Sequence, residues 1–331
     1  MKKNLIALAV AGVIAAPAAA MADATVYGKL HASYGSVSED ITDYDAIALR
    51  SHSSRLGVKG SEDLGGGLSA NYQLEWEVDP FGDGNTNFGQ LGAAGGDNLE
   101  RRNQWIGLKG GFGEVRVGRH DTPLKMAQGK FDQFNDMDGD IGNAFEGEDR
   151  LDNVVAYLNN FGPIGIAAAV IAGEGNGTTT GDSFADAYSI AATYTAGPLF
   201  LSAGMTSYDD TGAGATFLED VTRLVATYNW NDMDFGALYS MTSDANADEE
   251  QSGWGLSWGM GMGGGNKVKA QYLYNETDAG AELTNMSLGF DHAFSKSTTV
   301  YAAYNATEEE DAGGVTQNDF EFFGVGMILK F

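Results

Sequence analysis

The sequence predicts an all-β protein: a sixteen-stranded antiparallel β-barrel that spans a membrane, with its third long connection folded inward. Three observations point there. A leader opens the chain, a two-faced strand closes it, and alternating stretches fill the space between.

The leader comes first. Lys2 and Lys3 precede the apolar run LIALAVAGVIAAP, and Ala20-Met21-Ala22 supplies a small-x-small cleavage site. This is the pattern of a secretory signal peptide over residues 1–22, which leaves 23–331 as one barrel domain. Beyond it no run approaches the ~18 apolar residues that a spanning helix requires. The chain has no Cys and only 5 Pro. Without disulfides it must rely on burial and hydrogen bonds, and few prolines suit a ladder to which Pro cannot donate. Mean hydropathy is −0.22. That value does not discriminate, because only alternate residues of a barrel meet lipid.

Past Ala22, alternating stretches are joined by tight and long connections in turn. The tight ones read GSEDLGGG, GGFG, NNFGP, TAGP, WNDMD, GMGGGN and SKS, each with turn-forming Gly, Pro, Asn, Asp or Ser. The long ones cover roughly 38–45, 79–99, 121–149, 173–186, 208–220, 243–250, 275–282 and 308–319. Seven turns and eight loops join sixteen strands. At about 19 residues per strand and connection, each strand has room for the ~10 residues that cross a bilayer.

Single strands carry the two-faced pattern. In GLSANYQLEWEV, Leu68, Ala70, Tyr72, Leu74, Trp76 and Val78 share one face, and Ser69, Asn71, Gln73, Glu75 and Glu77 the other. The last strand, QNDFEFFGVGMILKF, sets Phe323, Val325, Met327 and Leu329 on one face and ends on Phe331. A soluble sandwich shows such alternation too, but it needs no unbroken series of sixteen strands. Tyr34, Trp76, Tyr157, Tyr194, Trp230, Tyr274 and Tyr304 lie near strand ends, where interfacial girdles form.

Charge is segregated. The formal net charge is −27, and removing Lys2 and Lys3 leaves 17 basic against 46 acidic groups, or −29. Seven of the eight long loops contain no Lys or Arg. Acidic runs often serve solubility; on a barrel rim they make a vestibule that concentrates cations, and they argue against nucleic acid as a partner. The sequence implies no cofactor, though acidic loops can hold structural Ca2+ or Mg2+. The DMDGD run has the composition of a calcium loop, but Gly139 falls at the wrong offset for an EF-hand.

The third loop differs from the rest. Its 121–149 span exceeds the ~12–15 residues above which loops are usually functional or disordered. Asp132, Asp136, Asp138 and Asp140 are interspersed with Phe131, Phe134, Met137, Ile141 and Phe145. Folding inward along the wall would bury the apolar residues and offer the carboxylates to the lumen. The basic residues sit mainly on strands. Alternation turns Arg55 and Lys59 inward, puts Arg102 on the face of Gln104 and away from Trp105, and sets Arg150 opposite Leu151 and Tyr157. Arg116 and Arg119 have opposite parity. An arginine facing lipid at mid-depth costs ~2–4 kcal/mol, so the lumen is the favoured side.

The pieces TVYGKL, SSRLGVKGSEDLGGGLSANYQLE, RRNQWIGLKGGFGEVRVGRHDTPLK, RLDNVVAY and the terminal Phe331 resemble the trimeric, sixteen-stranded general porins of Gram-negative outer membranes. They span most of the first half of the chain and its end; residues 160–316 match in rhythm only. The resemblance implies a homotrimer among outer-membrane lipids, open to ions and small hydrophilic solutes. It also implies an eyelet in which carboxylates of the third loop face a basic wall. By motif, Lys29, Arg55, Arg102, Arg119 and Arg150 correspond to the wall, and Asp132, Asp136, Asp138 and Asp140 to the loop. Phe331 corresponds to a C-terminal assembly signal. Where the family has a PEFGGD-like stretch this chain has NDMDGD, so the carboxylates match less closely than the cations.

The implied activity is passive diffusion. Charges ~10 Å apart interact by ~0.4 kcal/mol at water-like dielectric and ~1.7 kcal/mol at an effective value of 20, enough to orient a solute without trapping it. A balanced eyelet under an acidic mouth predicts weak cation preference. A substrate-specific channel would need an aromatic ladder or a file of lysines, and neither stands out. A barrel enzyme would need a His beside a nucleophile, and His31, His52, His120 and His292 sit in no such motif.

Overall fold

The computed structural model describes residues 24–41, 43–81, 99–173, 184–208, 218–244 and 249–331. Residues 1–23, most of the second, fourth and fifth long loops and half of the sixth lie outside the described residues. The wall begins with β1 (Thr25–Glu39), β2 (Tyr44–Ser51), β3 (Arg55–Gly65), β4 (Leu68–Val78), β5 (Leu99–Gly110) and β6 (Gly113–Asp121). After the third loop come β7 (Arg150–Phe161), β8 (Ile164–Ile171), β9 (Ala187–Ala196), β10 (Leu199–Tyr208), β11 (Leu218–Trp230) and β12 (Met233–Asp244). The circuit is completed by β13 (Glu249–Gly263), β14 (Asn266–Thr277), β15 (Glu282–Ala293), β16 (Thr298–Glu310) and β17 (Thr316–Lys330). Both β2 and β3 pair with β1, above and below a break at His52–Ser54, so they are one wall strand in two segments. The wall is therefore sixteen-stranded. It closes where β1 pairs antiparallel with β17, from Lys29 opposite Lys330 to Glu39 opposite Phe320.

Alternation decides which face each residue takes. Val325 and Met327 are 57% and 50% exposed, and Ile106, Leu256 and Leu288 are exposed likewise, forming an apolar outer band. The opposite parity carries Ser33, Ser189, Asn285, Ser287 and Asn305, all buried on the inside. The hairpin turns hold the residues their geometry needs; Asn231 takes a φ of 55° between β11 and β12, a conformation Asn tolerates.

The third loop folds over one short helix, α1 (Pro123–Met126), capped by the Thr122 hydroxyl, and a 3-10 turn at Ile141–Asn143 capped by Asp140. All five of its interspersed apolar residues are buried. Phe131, Ile141 and Phe145 pack with Val225, Leu238 and Leu273. Phe134 and Met137 pack with Val37, Tyr301, Phe320 and Phe322, while Leu124 joins Val154, Ile171 and Val221. These wall partners belong to the inner parity. Phe320 and Phe322 make the last strand apolar on both faces, a departure from simple alternation explained by the loop they cover.

Wall glycines make room for the loop. A Cβ at Gly236 or Gly255 would stand 2.9 or 2.8 Å from the Phe131 ring, and one at Gly253 would stand 2.6 Å from Phe145. Such approaches leave no room for a side chain.

Candidate pore constriction

The first strands carry cations on their inner face, and the loop brings carboxylates to them. Lys29 of β1 and Arg55 of β3 both pair with Asp136. Arg50 of β2 grips Asp138 with two bonds of 2.7 Å, under the rings of Phe320 and Phe322. Other inner cations find their partners on the wall itself. Arg102 bonds Glu75 at 2.9 Å and Glu77 at 2.6 Å, and Arg150 pairs with Asp121 at 2.8 Å. At the far end of the loop, Glu148 receives Arg223 of β11, with Lys125 at 3.9 Å.

The four loop aspartates divide into two jobs. Asp136 and Asp138 meet the wall cations. Asp132 instead accepts from the backbone N–H groups of Phe134 and Ile141 (2.8 and 3.2 Å) and from Gln271. Asp140 accepts from the N–H groups of Asp136 and Gly142 and from Asn135. These two shape the loop, and Asp140 holds Asp136 at its tip in a left-handed conformation with φ 64°.

Electrostatics follows from those contacts. Burial alone would raise Asp136, but the Arg55 and Lys29 cations hold it well below the usual carboxylate range. Burial pushes Asp132 well up, with Asp140 adding repulsion. Asp140 is raised by burial against the pull of its backbone donors. Burial also raises Glu148 despite Arg223 and Lys125.

A cavity of about 380 Å³ opens between loop and wall. Its cations are Arg50, Arg55, Arg102, Lys125 and Arg150, and its acids are Asp121, Asp136, Asp138, Asp140 and Glu148. Charge there is balanced.

Lys29, Arg55, Arg102 and Arg150 thus lie near Asp136 and Asp138, but Arg119 does not join them. It bonds Asp152 at 3.1 Å and the Arg101 carbonyl at 3.2 Å on the outer face. Arg119 falls in unbroken alternation with the outward Val115 and Val117, and register shifts bring its partners to the same face. β5 has an extra residue between Arg101 and Gln104 opposite Trp76 and Leu74, and β7 has one between Leu151 and Val154 opposite His120 and Gly118. An extra residue in a strand reverses parity beyond it. For the same reason Arg102 shares the inner face with Trp105, opposite the expected pairing, while Gln104 faces outward opposite Leu74 and Arg119. Arg116 is inward, stacked on Trp105 at 4.1 Å and bonded to Glu114.

Sequence reading missed Arg50 and Arg223. Arg50 was findable, since it alternates with the outward Ile47 and Leu49. Arg223 carries the same parity signal on β11, but its partner Glu148 is remote in sequence. Among the described residues no group of His, Asp and Glu is arranged to hold a metal ion, and the acidic runs at 209–217 and 245–248 lie outside them. A Ser–His hydrogen bond does exist, Ser33 to His52 at 2.7 Å, but both residues are sealed in the wall.

Known proteins share this architecture. Residues 7–312 match the family model described as Gram-negative porin. The chain is 31% identical over 334 residues to outer membrane porin protein 32 of Delftia acidovorans, across 94% of this chain and 91% of that one. An anion-selective porin from Comamonas acidovorans superposes with a TM-score of 0.71 at 24% identity, covering 93% of this chain and 99% of that one. The trimer form of OmpT from Vibrio cholerae gives 0.67 at 18%, covering 93% and 99%. The last two, below 25% identity, speak for the fold alone. The closed barrel, its apolar outer band and the match over most of its length agree, and the chain belongs to the Gram-negative porin family of the outer membrane.

Proposed function

We propose that the protein is a general diffusion porin: a passive, water-filled channel for ions and small hydrophilic solutes, working as a homotrimer. Its narrowest passage is the cavity where the infolded loop faces Arg102 and Arg150, and it prefers cations weakly. The carrying observation is that both signs of charge line that cavity in equal number. A balanced passage orients a dipolar solute and leaves ionic preference to the mouth, where long loops are acidic and almost free of Lys and Arg. The selectivity named for the Comamonas acidovorans porin is that protein's own, since a shared fold does not set the charges of a passage. The trimeric form of a structural neighbour supports the homotrimer. Porins are channel proteins, and no chemical step is proposed.

Planar-bilayer recording tests this reading. Purified protein should give stepwise conductance, with reversal potentials in a KCl gradient that modestly favour K+. Clear anion preference, or conductance that saturates with one solute, would replace the reading with a specific or anion channel.

A further inference from the structure

Cations are scarce in this chain and almost all of them are turned inward. The 17 Lys and Arg that follow the leader all lie within the described residues. Lys125 and Lys130 are in the third loop, Lys296 is in a turn, and two face outward: Arg101 and Arg119. The others turn inward, all by inner parity except Arg150, which lines the cavity from the end of β7. Arg101 stands opposite Trp76, whose neighbours Glu75 and Glu77 point inward, so its own side chain leaves the barrel. It is 60% exposed.

Shifts in the pairing of β4–β5 and β6–β7 bring Arg101, Arg119 and Asp152 together. Asp152 accepts from Arg101 at 3.3 and 3.0 Å and from Arg119 at 3.1 Å. Arg119 also donates its Nε to the Arg101 carbonyl. Two guanidiniums share one carboxylate, so the group carries net positive charge. Arg101 Nε and Arg119 Nη2 have no protein acceptor among the described residues.

Depth selects the ligand. Arg101 is the tenth residue of β5 counted from the tight turn after Gly110, and Trp254 is the tenth of β13 counted from Gly263. About ten residues of tilted strand cross the hydrocarbon core, so both reach the interface on the long-loop side. Trp254 fits an interfacial girdle. A cation at that depth meets headgroups, and a fork of guanidinium donors matches phosphate oxygens better than any other group found there. The acidic loops beyond repel anionic headgroups, which makes this pair the attractive point at its level.

We propose that Arg101 and Arg119 form a docking site for the phosphate of an outer-leaflet lipid headgroup. Asp152 is its built-in competitor: it pre-orients both guanidiniums and weakens the site at once.

Full-length protein in a nonionic detergent is titrated with dioctanoyl phosphatidic acid, with dioctanoylglycerol and with inorganic phosphate, and retained lipid is counted by native mass spectrometry. Phosphatidic acid should bind in preference to dioctanoylglycerol, and inorganic phosphate should not displace it at equal concentration. Arg101→Gln should weaken that binding about tenfold, and Asp152→Asn should strengthen it several-fold, both with the wild-type step conductance that shows them folded. Opposite signs are the signature, because a purely structural cluster would lose lipid in both variants. Weakening in both, or no change in either, overturns the site. Displacement by inorganic phosphate overturns the lipid assignment. Lipid retention unchanged in Arg101→Gln while trimers fall to monomers makes the cluster a contact between copies instead.

Discussion

At Asp136 two cations meet one carboxylate, and the local sign of charge depends on its staying ionised. Its folded pKa lies below the ordinary ~3.9, so its contribution to holding the loop is complete above that value. That contribution fades only as pH falls through the lower folded value. Asp136→Asn at neutral pH should therefore leave Lys29 and Arg55 uncompensated and move the reversal potential toward anions. An unchanged reversal potential would remove Asp136 from the passage. Asp140 and Glu148 behave oppositely. Burial raises both, so they oppose stability as pH rises through the ordinary carboxylate range, and on acidification they take up protons first. Cation preference should thus weaken between neutral pH and the ordinary carboxylate range; selectivity flat down to ~3.9 would contradict this. The sequence showed four aspartates within nine positions but not their division of labour. That division rests on which backbone N–H each oxygen caps, and spacing alone does not encode it.

The third loop and its wall fit each other as knob and notch. Phe131 is fully buried against the space left by Gly236 and Gly255. Phe131→Ala removes a packed ring, and comparable truncations cost ~3–5 kcal/mol. Here the loss falls on loop attachment, not on the barrel ladders. The variant should keep its β-rich far-ultraviolet spectrum while trypsin gains access to Lys125 and Lys130, and its open-channel current should grow noisier. Gly255→Val should do the same by wedging. If trypsin spares the loop in both, its seating does not depend on this notch. Strand number, turns and long loops were legible, because period-2 runs and turn residues are local signals. Parity at Arg102 on β5 and at Asp152 on β7 was not. A register shift is decided by pairing with the neighbouring strand, and residues 101–104 and 151–154 read in isolation keep a formal alternation that the pairing breaks.

Over the whole molecule, the net charge of −27 matters less than where it lies. Rim carboxylates act across water, where the screening length is ~10 Å at 0.1 M and ~3 Å at 1 M salt. Cation preference set by the mouth should shrink as KCl rises over that range, and a ratio independent of salt would move its origin into the passage. One feature of the wall bears on how such a chain comes to exist at all. Phe331 and Gly28 exchange two backbone hydrogen bonds, of 3.0 and 3.1 Å, and the terminal ring occupies the space a Gly28 side chain would need. The first strand therefore completes its pairing with β17 only once residue 331 has been made. Until then both rims of the unfinished sheet lie open to any stray strand, and a long exported polypeptide has to be kept apart from its siblings throughout its journey. Loss of Phe331 would strip the lowest two bonds from the seam where the ring shuts.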